Sequence, residues 1–267
     1  MSVASAPPMM SDHIFEGRAE RFRDRIYGTA KGKLRLELAW RDMCEQLPLQ
    51  GDALAVWDAG AGLGQISQRL AELGHRVIMS EPAADMLALA RQSLPATVDC
   101  RQETLQAHIQ SSNTAYDLIV CHAVLEWLVD PQQAVSQLVS RLRPGGYLSL
   151  LFYNINAIAL ANIVKGNLYK VSREDFAGMK GSFTPPSPQK PDEVLSRLQS
   201  LGVDIISKRS VRFAYDLMAR ALREERSLED VMALEWQFGA REPYWQLGRY
   251  VHLVCRKPPQ GAAVNLR

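Results

Sequence analysis

From Leu54 to Phe152, short apolar runs alternate with segments whose apolar residues recur at helical spacing, the pattern of strand–helix units feeding a parallel sheet. The runs Leu54–Trp57, Val77–Met79, Thr97–Cys100, Leu118–Cys121 and Tyr147–Phe152 predict strands. Helices are predicted over Gln65–Leu73, Ala83–Ser93, Leu105–Gln110 and Gln132–Leu142, with Gly74 placed to terminate the first. This half reads as a Rossmann-like wind. Beyond Phe152 the regular alternation stops. An apolar segment, Ile155–Val164, leads through a polar stretch to the proline-rich Thr184–Pro191, which reads as a stiff connector. Then come a helix over Asp192–Leu201 closed by Gly202, strands over Val203–Lys208 and Tyr250–Cys255, and helices near Tyr215–Arg223 and Leu228–Phe238. More than 40 residues separate the last two strands, so the helices between them are expected to form a cap rather than a plain crossover.

Composition narrows the class without naming a partner. A chain of 267 residues that is 47% hydrophobic and 22% charged is neither disordered nor a disulfide scaffold, and a net charge of +2 excludes a histone-like polybasic protein. Charge is uneven along it. Between Ala53 and Asp130 four Arg and no Lys face nine acidic residues, whereas Lys165 to Arg223 carries 11 basic residues against six acidic, and the stretch up to Arg35 carries seven against four. An acidic core with basic flanks is compatible with a phosphate-binding face, and equally with solvated helix faces. Cys44, Cys100, Cys121 and Cys255 show no CxxC spacing, so no metal site is predicted and free, buried thiols are expected. The N-terminal residues lack the pattern of a secretion signal and no window approaches 18 uncharged apolar residues, which predicts a cytoplasmic protein away from membranes.

The strongest chemical signal is Val56-Trp-Asp-Ala-Gly60-Ala-Gly62-Leu-Gly64, directly after the first strand and opening a helix. Small residues there let the chain turn sharply and let a ligand approach the amides. Glu81, 21 residues beyond Gly60, ends the second strand, where an acid can accept the hydroxyl hydrogens of a ribose. Strand, turn, helix and acid together point to an adenosine ligand, although glycines in a tight turn with a strand-end Glu can be purely structural. The GxGxG spacing leaves open which adenosine cofactor it is.

The Arg143-Pro-Gly-Gly146 turn before the fifth strand and the late strand at Tyr250–Cys255 resemble class I S-adenosylmethionine-dependent methyltransferases. Narrower still, Ile26–Arg35, His122-Ala-Val-Leu-Glu-Trp127, Leu151-Phe-Tyr-Asn154 and Leu247-Gly-Arg-Tyr250 resemble the bacterial tRNA 5-carboxymethoxyuridine methyltransferase family in order and spacing, from about Phe15 to Lys257. The resemblance implies a Rossmann-like α/β fold with a seven-stranded, mostly parallel sheet. It implies an N-terminal helical lid (1–52), a cofactor-binding core (53–152) and a C-terminal half completing the sheet with a helical substrate cap (153–257), while the low-complexity composition of 258–267 predicts a flexible tail. It further implies S-adenosylmethionine as cofactor, bound through Arg35, Gly60, Ala61, Glu81, Gln102, Glu103 and His122, and a tRNA bearing 5-carboxymethoxyuridine as substrate. The chain departs from the family pattern in having Ala61 for a Gly and Glu81 for an Asp. Taken alone, His122 at a strand end reads equally as a satisfied polar residue.

Such a reaction needs few catalytic groups. A carboxylate with a reference pKa near 4 is ionised at neutral pH, so no general base is predicted and the protein's task is alignment. The family resemblance puts Arg35 at the methionine end of the cofactor, where a guanidinium would bind the carboxylate. Candidates to hold the substrate are Tyr27 and Lys31 near the N-terminus, Tyr153 and Asn154 after the fifth strand, and Arg212 and Arg249 in the C-terminal half. Tyr153 has packing, and Asn154 capping, as its plainer role. Trp127 reads as core rather than as a base-stacking platform. Cys121, in apolar surroundings, reads as an unreactive thiol. Two other functions share the cofactor motif: methylation of a free small acid or amine, which would lack steep salt dependence, and a non-catalytic partner subunit, which would not transfer methyl groups alone.

Overall fold

A computed structural model of the chain describes residues 11–24, 28–176 and 184–261. Strands β1 (Ala55–Ala59), β2 (Arg76–Ser80), β3 (Asp99–Arg101), β4 (Tyr116–His122), β5 (Leu142–Tyr153), β6 (Asp204–Val211) and β7 (Tyr250–Arg256) form one sheet in the order β3-β2-β1-β4-β5-β7-β6. Neighbours from β3 to β5 are parallel, and β7 is antiparallel to both β5 and β6. The expected seven-stranded, mostly parallel sheet is therefore present. Its central strands are continuous apolar runs because helices cover both faces, leaving Val56, Trp57, Ile119, Val120 and Leu150 with no exposed surface.

Helices α1 (Ala19–Phe22) and α2 (Ala30–Gln46) precede the sheet, and α3 (Gln65–Glu72), α4 (Ala84–Ser93), α5 (Leu105–Ser111) and α6 (Pro131–Ser140) connect the first five strands. Between β5 and β6 lie α7 (Ile155–Val164), α8 (Leu168–Ser172) and α9 (Pro191–Ser200); between β6 and β7 lie α10 (Ala214–Leu217), α11 (Arg220–Glu225) and α12 (Leu228–Gly239). Local chemistry sets their ends. Asp130 caps α6 by accepting from the Gln133 N–H at 2.8 Å, with Pro131 in the first turn where no amide hydrogen is needed. Gly74 follows α3 at φ +88°, the left-handed position that closes a helix.

Two apolar layers flank the sheet. One packs Trp57, Ile119, Phe152 and Val251 against Val135, Leu138 and Leu198 of α6 and α9. The other packs Met43 of α2, Leu70 of α3 and Leu87 of α4 on Val77, Met79 and Val120. A third cluster gathers Leu34 and Leu38 of α2 with Tyr153 and Tyr250 at the ends of β5 and β7, and Tyr215, Met218 and Leu228 pack on it.

Several boundaries differ from the sequence reading. Arg143–Gly146 is not a turn ahead of the strand but part of β5, which begins at Leu142; the pairing with β4 slips between Tyr116 and Leu118, so the glycines accommodate a bulge. A Cβ on Gly146 would stand 3.0 Å from the Tyr116 carbonyl oxygen. The helix expected over Tyr215–Arg223 is broken at Met218, because Arg223 donates to the carbonyls of Asp216 and Met218 at 2.9 and 2.8 Å. The proline-rich connector is a wall of the crevice: Ser187 N–H donates to Glu126 O, and Gln189 pairs with Tyr153 and Ile155 through backbone bonds. All four cysteines are free, but Cys44 is exposed on α2 rather than buried. Most of the tail expected over 258–267 lies outside the described residues. Among the described residues no helix is long and apolar enough to cross a membrane.

Candidate active site

The sheet order reverses between β1 and β4, and the crevice that such a switch opens at the carboxyl ends of the strands is lined by Arg35, Gly60, Ala61, Gly62, Glu81 and His122. The turn after β1 is built by backbone. Gly60, Gly62 and Gly64 sit at φ +67°, +60° and +74°, and the N–H groups of Gly60 and Ala61 both donate to the Ser80 carbonyl. A Cβ on Gly60 would stand 2.6 Å from Val124 Cγ2. Ala61 is not among the left-handed residues, so its Cβ costs no backbone strain and the departure from glycine is accommodated. Glu81 uses its extra methylene to fold its carboxylate onto the turn, accepting from the Gly62 N–H at 2.9 Å and the Ala83 N–H at 3.0 Å. Burial pushes its pKa up against those two bonds. Asp58, wholly enclosed below the turn, accepts from the Ser67 hydroxyl at 2.7 Å and is raised by burial to about 6.

A recess beside the turn is lined by Thr104, Leu105 and Gln106 and closed by Phe15 and Trp127, whose rings stand edge-on at 4.6 Å. Trp127 is thus not core: its half-buried ring forms crevice wall, where the 3₁₀ turn Leu125–Trp127 directs it. Gln102 and Glu103 are not brought into the lining. Gln102 is exposed, and Glu103 faces the buried His108, with Oε1 2.6 Å from Nδ1.

On the other side, Arg35 projects from α2 over the ring of Tyr250 at 5.6 Å. Near it Glu126 is 1% exposed, with both carboxylate oxygens unpartnered among the described residues, and burial raises its pKa to about 7. An enclosed carboxyl group without partners, at a crevice also offering a guanidinium, fits a ligand with an amino-acid end; Glu81 and the open glycine turn fit its ribose end. His122 reaches Ser149 Oγ through Nε2 at 2.8 Å. Burial first, with the Arg35 charge acting in the same direction, holds its pKa well below the usual value.

Four of the six substrate candidates converge. Asp216 on α10 accepts from Arg212 at 2.8 Å on both oxygens and from Arg249 Nε at 3.0 Å; Arg249 Nη1 also donates to the Tyr153 hydroxyl at 3.0 Å. Burial opposes the Asp216 charge, but the two guanidiniums outweigh it and hold the carboxyl below its ordinary range. Lys31 is lowered by burial and by Arg212, Arg223 and Arg249, with Asp216 acting against them. Arg212 sits at φ +65°, and its buried Nε has no partner among the described residues. Tyr250 joins this cluster to the crevice, with Arg212 5.9 Å from its ring and Tyr153 edge-on at 5.3 Å. Asn154 does not join it. Wholly buried, it donates to the carbonyls of Gln246 and Gly248 and caps α7 through the Asn156 N–H. Tyr27 lies outside the described residues. Sequence reading misses Asp216 and Glu126, since a lone acid in a helical pattern carries no motif. Among the described residues no group of His, Cys, Asp and Glu is placed to hold a metal.

Comparison with known proteins agrees with this geometry. A methyltransferase-domain family model matches residues 57–150. The chain is 37% identical over 258 residues, covering 93% of itself and 98% of the relative, to the tRNA 5-carboxymethoxyuridine methyltransferase of Escherichia coli (strain K12), and equally so to that of Escherichia coli O157:H7. It is 34% identical to the ubiquinone biosynthesis O-methyltransferase of Pectobacterium atrosepticum over 43% of this chain and 48% of that one. The structure of magnesium protoporphyrin IX methyltransferase from Synechocystis PCC 6803, solved with bound SAH, matches with a TM-score of 0.58 at 18% identity over 91% of this chain and 96% of that chain, which shows a shared fold. A glycine turn closed by an acid at the switch point of a seven-stranded sheet, and a relative matched over nearly its whole length, have one meaning: the chain belongs to the tRNA 5-carboxymethoxyuridine methyltransferases, S-adenosylmethionine-dependent enzymes on a Rossmann-like fold.

Proposed function

We propose that the protein esterifies the carboxylate of 5-carboxymethoxyuridine at the wobble position (34) of cytoplasmic tRNA, and that the cluster around Asp216 receives that carboxylate. The observation that carries the reading is the charge balance there: Arg212 and Arg249, with Lys31 and Arg223 close by, outnumber the acids Asp216 and Glu235 beside the crevice. That excess of positive charge favours an anionic substrate group. S-adenosylmethionine, when bound, supplies a methyl group on a sulfonium centre. Arg35 would hold the cofactor's carboxylate, Glu126 its ammonium group and Glu81 its ribose. Asp216 and Tyr153 fix the guanidinium planes, so that the substrate is aligned by donors that need no rearrangement. The carboxylate is already ionised, so no side chain has to take a proton from it. Cys121 is fully buried and its thiol is pushed far up by burial, which argues against covalent activation of an unmodified uridine.

A polynucleotide is favoured over a small free acid by the exposed face of α7 and α8. Lys165, Lys170 and Arg173 are exposed there, and Arg173 lies 4.1 Å from the ring of Tyr169, itself 61% exposed. Nucleoside mass spectrometry of tRNA from a strain lacking the gene tests the reading. The methyl ester of 5-carboxymethoxyuridine should vanish while the free acid accumulates. Unchanged ester would remove this function.

A further inference from the structure

A chain of buried polar groups runs from the crevice along the α2-covered face of the sheet to Asp42 on α2. His122 Nε2 is 2.8 Å from Ser149 Oγ, Ser149 Oγ is 2.8 Å from His252 Nε2, and His252 Nδ1 is 2.7 Å from Asp42 Oδ2. Asp42 also accepts from Ser207 at 3.1 Å and pairs with Arg209 at 3.4 Å through Oδ1. Ser149, His252 and Asp42 have no exposed surface. The four groups come from β4, β5, β7 and α2, so no local motif announces them. Burying an acid and an imidazole in a sheet that could be apolar is costly unless every group is paired, and here each is.

The pairing also has a direction. An ionised Asp42 can only accept, so His252 must carry hydrogen on Nδ1. With Arg209 as the counter-charge of Asp42, one hydrogen on His252 Nδ1 satisfies the pair, and Nε2 then faces Ser149 as a lone pair. That lone pair takes the Ser149 hydroxyl hydrogen, and the Ser149 oxygen in turn accepts from His122, which must then carry its hydrogen on Nε2. His122 Nδ1 is left as a bare acceptor on a ring that lines the crevice. The geometry points to Asp42, His252 and Ser149 as positioning residues that lock His122 in this tautomer, so that it accepts a hydrogen bond from a donor group of the bound cofactor and places no imidazolium near its sulfonium. The inference rests on the cofactor reading above, and extends it to three residues with no surface in the crevice.

The test is the ring-nitrogen spectrum of the full-length, 15N-histidine-labelled protein, with the His122 signals assigned by their loss in His122→Gln. In the unsubstituted protein Nδ1 of His122 should resonate as a bare nitrogen and Nε2 as a protonated one; the reverse assignment would overturn the inference and leave the cofactor reading intact. Asp42→Asn should invert the chain, because an amide facing Arg209 through its oxygen presents N–H to His252, forcing hydrogen onto His252 Nε2, then from Ser149 to His122 Nε2, and onto His122 Nδ1. S-adenosylmethionine binding by calorimetry should weaken about tenfold in that variant, the loss of one hydrogen bond to a charged partner. Ser149→Ala, which cuts the chain in the middle, should leave His122 as a mixture of tautomers. A folded Asp42→Asn protein with His122 unchanged would contradict the inference, and if that variant does not fold, the unsubstituted spectrum and Ser149→Ala still decide.

Discussion

The ribose end of the crevice and the anion-binding end are built by different means. The first is made by backbone within one stretch: the glycine turn from Gly60 to Gly64, the strand that pairs with its approach, and Glu81 closing back on the Gly62 amide. The second is made by side chains from segments far apart, Lys31 on α2, Tyr153 at the end of β5, Arg212 and Asp216 after β6, and Arg249 before β7. A site made of main chain tolerates few residue types and so leaves a spelled motif, whereas a site made of side chains depends only on where the fold delivers them. The two ends should also fail differently when altered: a lost backbone contact weakens one ligand, while a lost buried charge unbalances its partners.

The largest effect is expected where that contrast is sharpest. Asp216→Ala leaves Arg212 and Arg249 enclosed without their counter-charge and should destabilise the protein by about 3–5 kcal/mol in denaturant unfolding. A variant as stable as the parent would mean that the guanidiniums find other partners. Next comes a reciprocal pair. Glu81→Ala should cost about 1.5–3 kcal/mol in S-adenosylmethionine binding by calorimetry with little change in the KM for tRNA. Arg249→Ala should raise that KM, lowering kcat/KM about 10–100-fold, with cofactor affinity unchanged. If both variants impair the same ligand, the division into two ends is wrong.

The smallest expected effect concerns Glu126. Burial lifts its folded-state pKa to about 7 from an ordinary value of 4.5, so the native state binds more protons than the unfolded state between those values. Its contribution to stability is complete below pH 4.5 and is lost as pH rises through 7. Asp58, raised to about 6, adds a loss in the same direction. Glu126→Gln should flatten this decline by about 1–2 kcal/mol between about pH 5 and 8, and saturating cofactor should flatten it likewise by giving the carboxylate a cationic partner. Parallel stability curves for the parent and Glu126→Gln would rule out the raised pKa.

Much of the fold is legible in the sequence because its strands are apolar runs separated by helical periods, and β1, β2 and β4 fall within two residues of the predicted runs. Boundaries drift where the backbone is irregular: a bulge absorbs Arg143–Gly146 into β5, and Arg223 splits one predicted helix into α10 and α11. Within the site, Gly60, Gly62 and Glu81 announce themselves, and Tyr153, Arg212 and Arg249 can be nominated by type and position. Asp216 and Glu126 cannot, since nothing in sequence says which acids the fold will enclose. Trp127 misleads for the same reason: an aromatic in an apolar run reads as core until a short turn is seen to face it toward the crevice.

The central claim is that a tRNA carboxylate, and not a carbon or a free acid, receives the methyl group. Its most direct test incubates the purified protein with S-adenosylmethionine carrying a labelled methyl group and either tRNA bearing 5-carboxymethoxyuridine or the same tRNA transcribed without modification. Label should enter only the first and should be released as methanol by mild alkali, as from an ester. Transfer to the unmodified transcript, or label that survives alkali, would contradict the account.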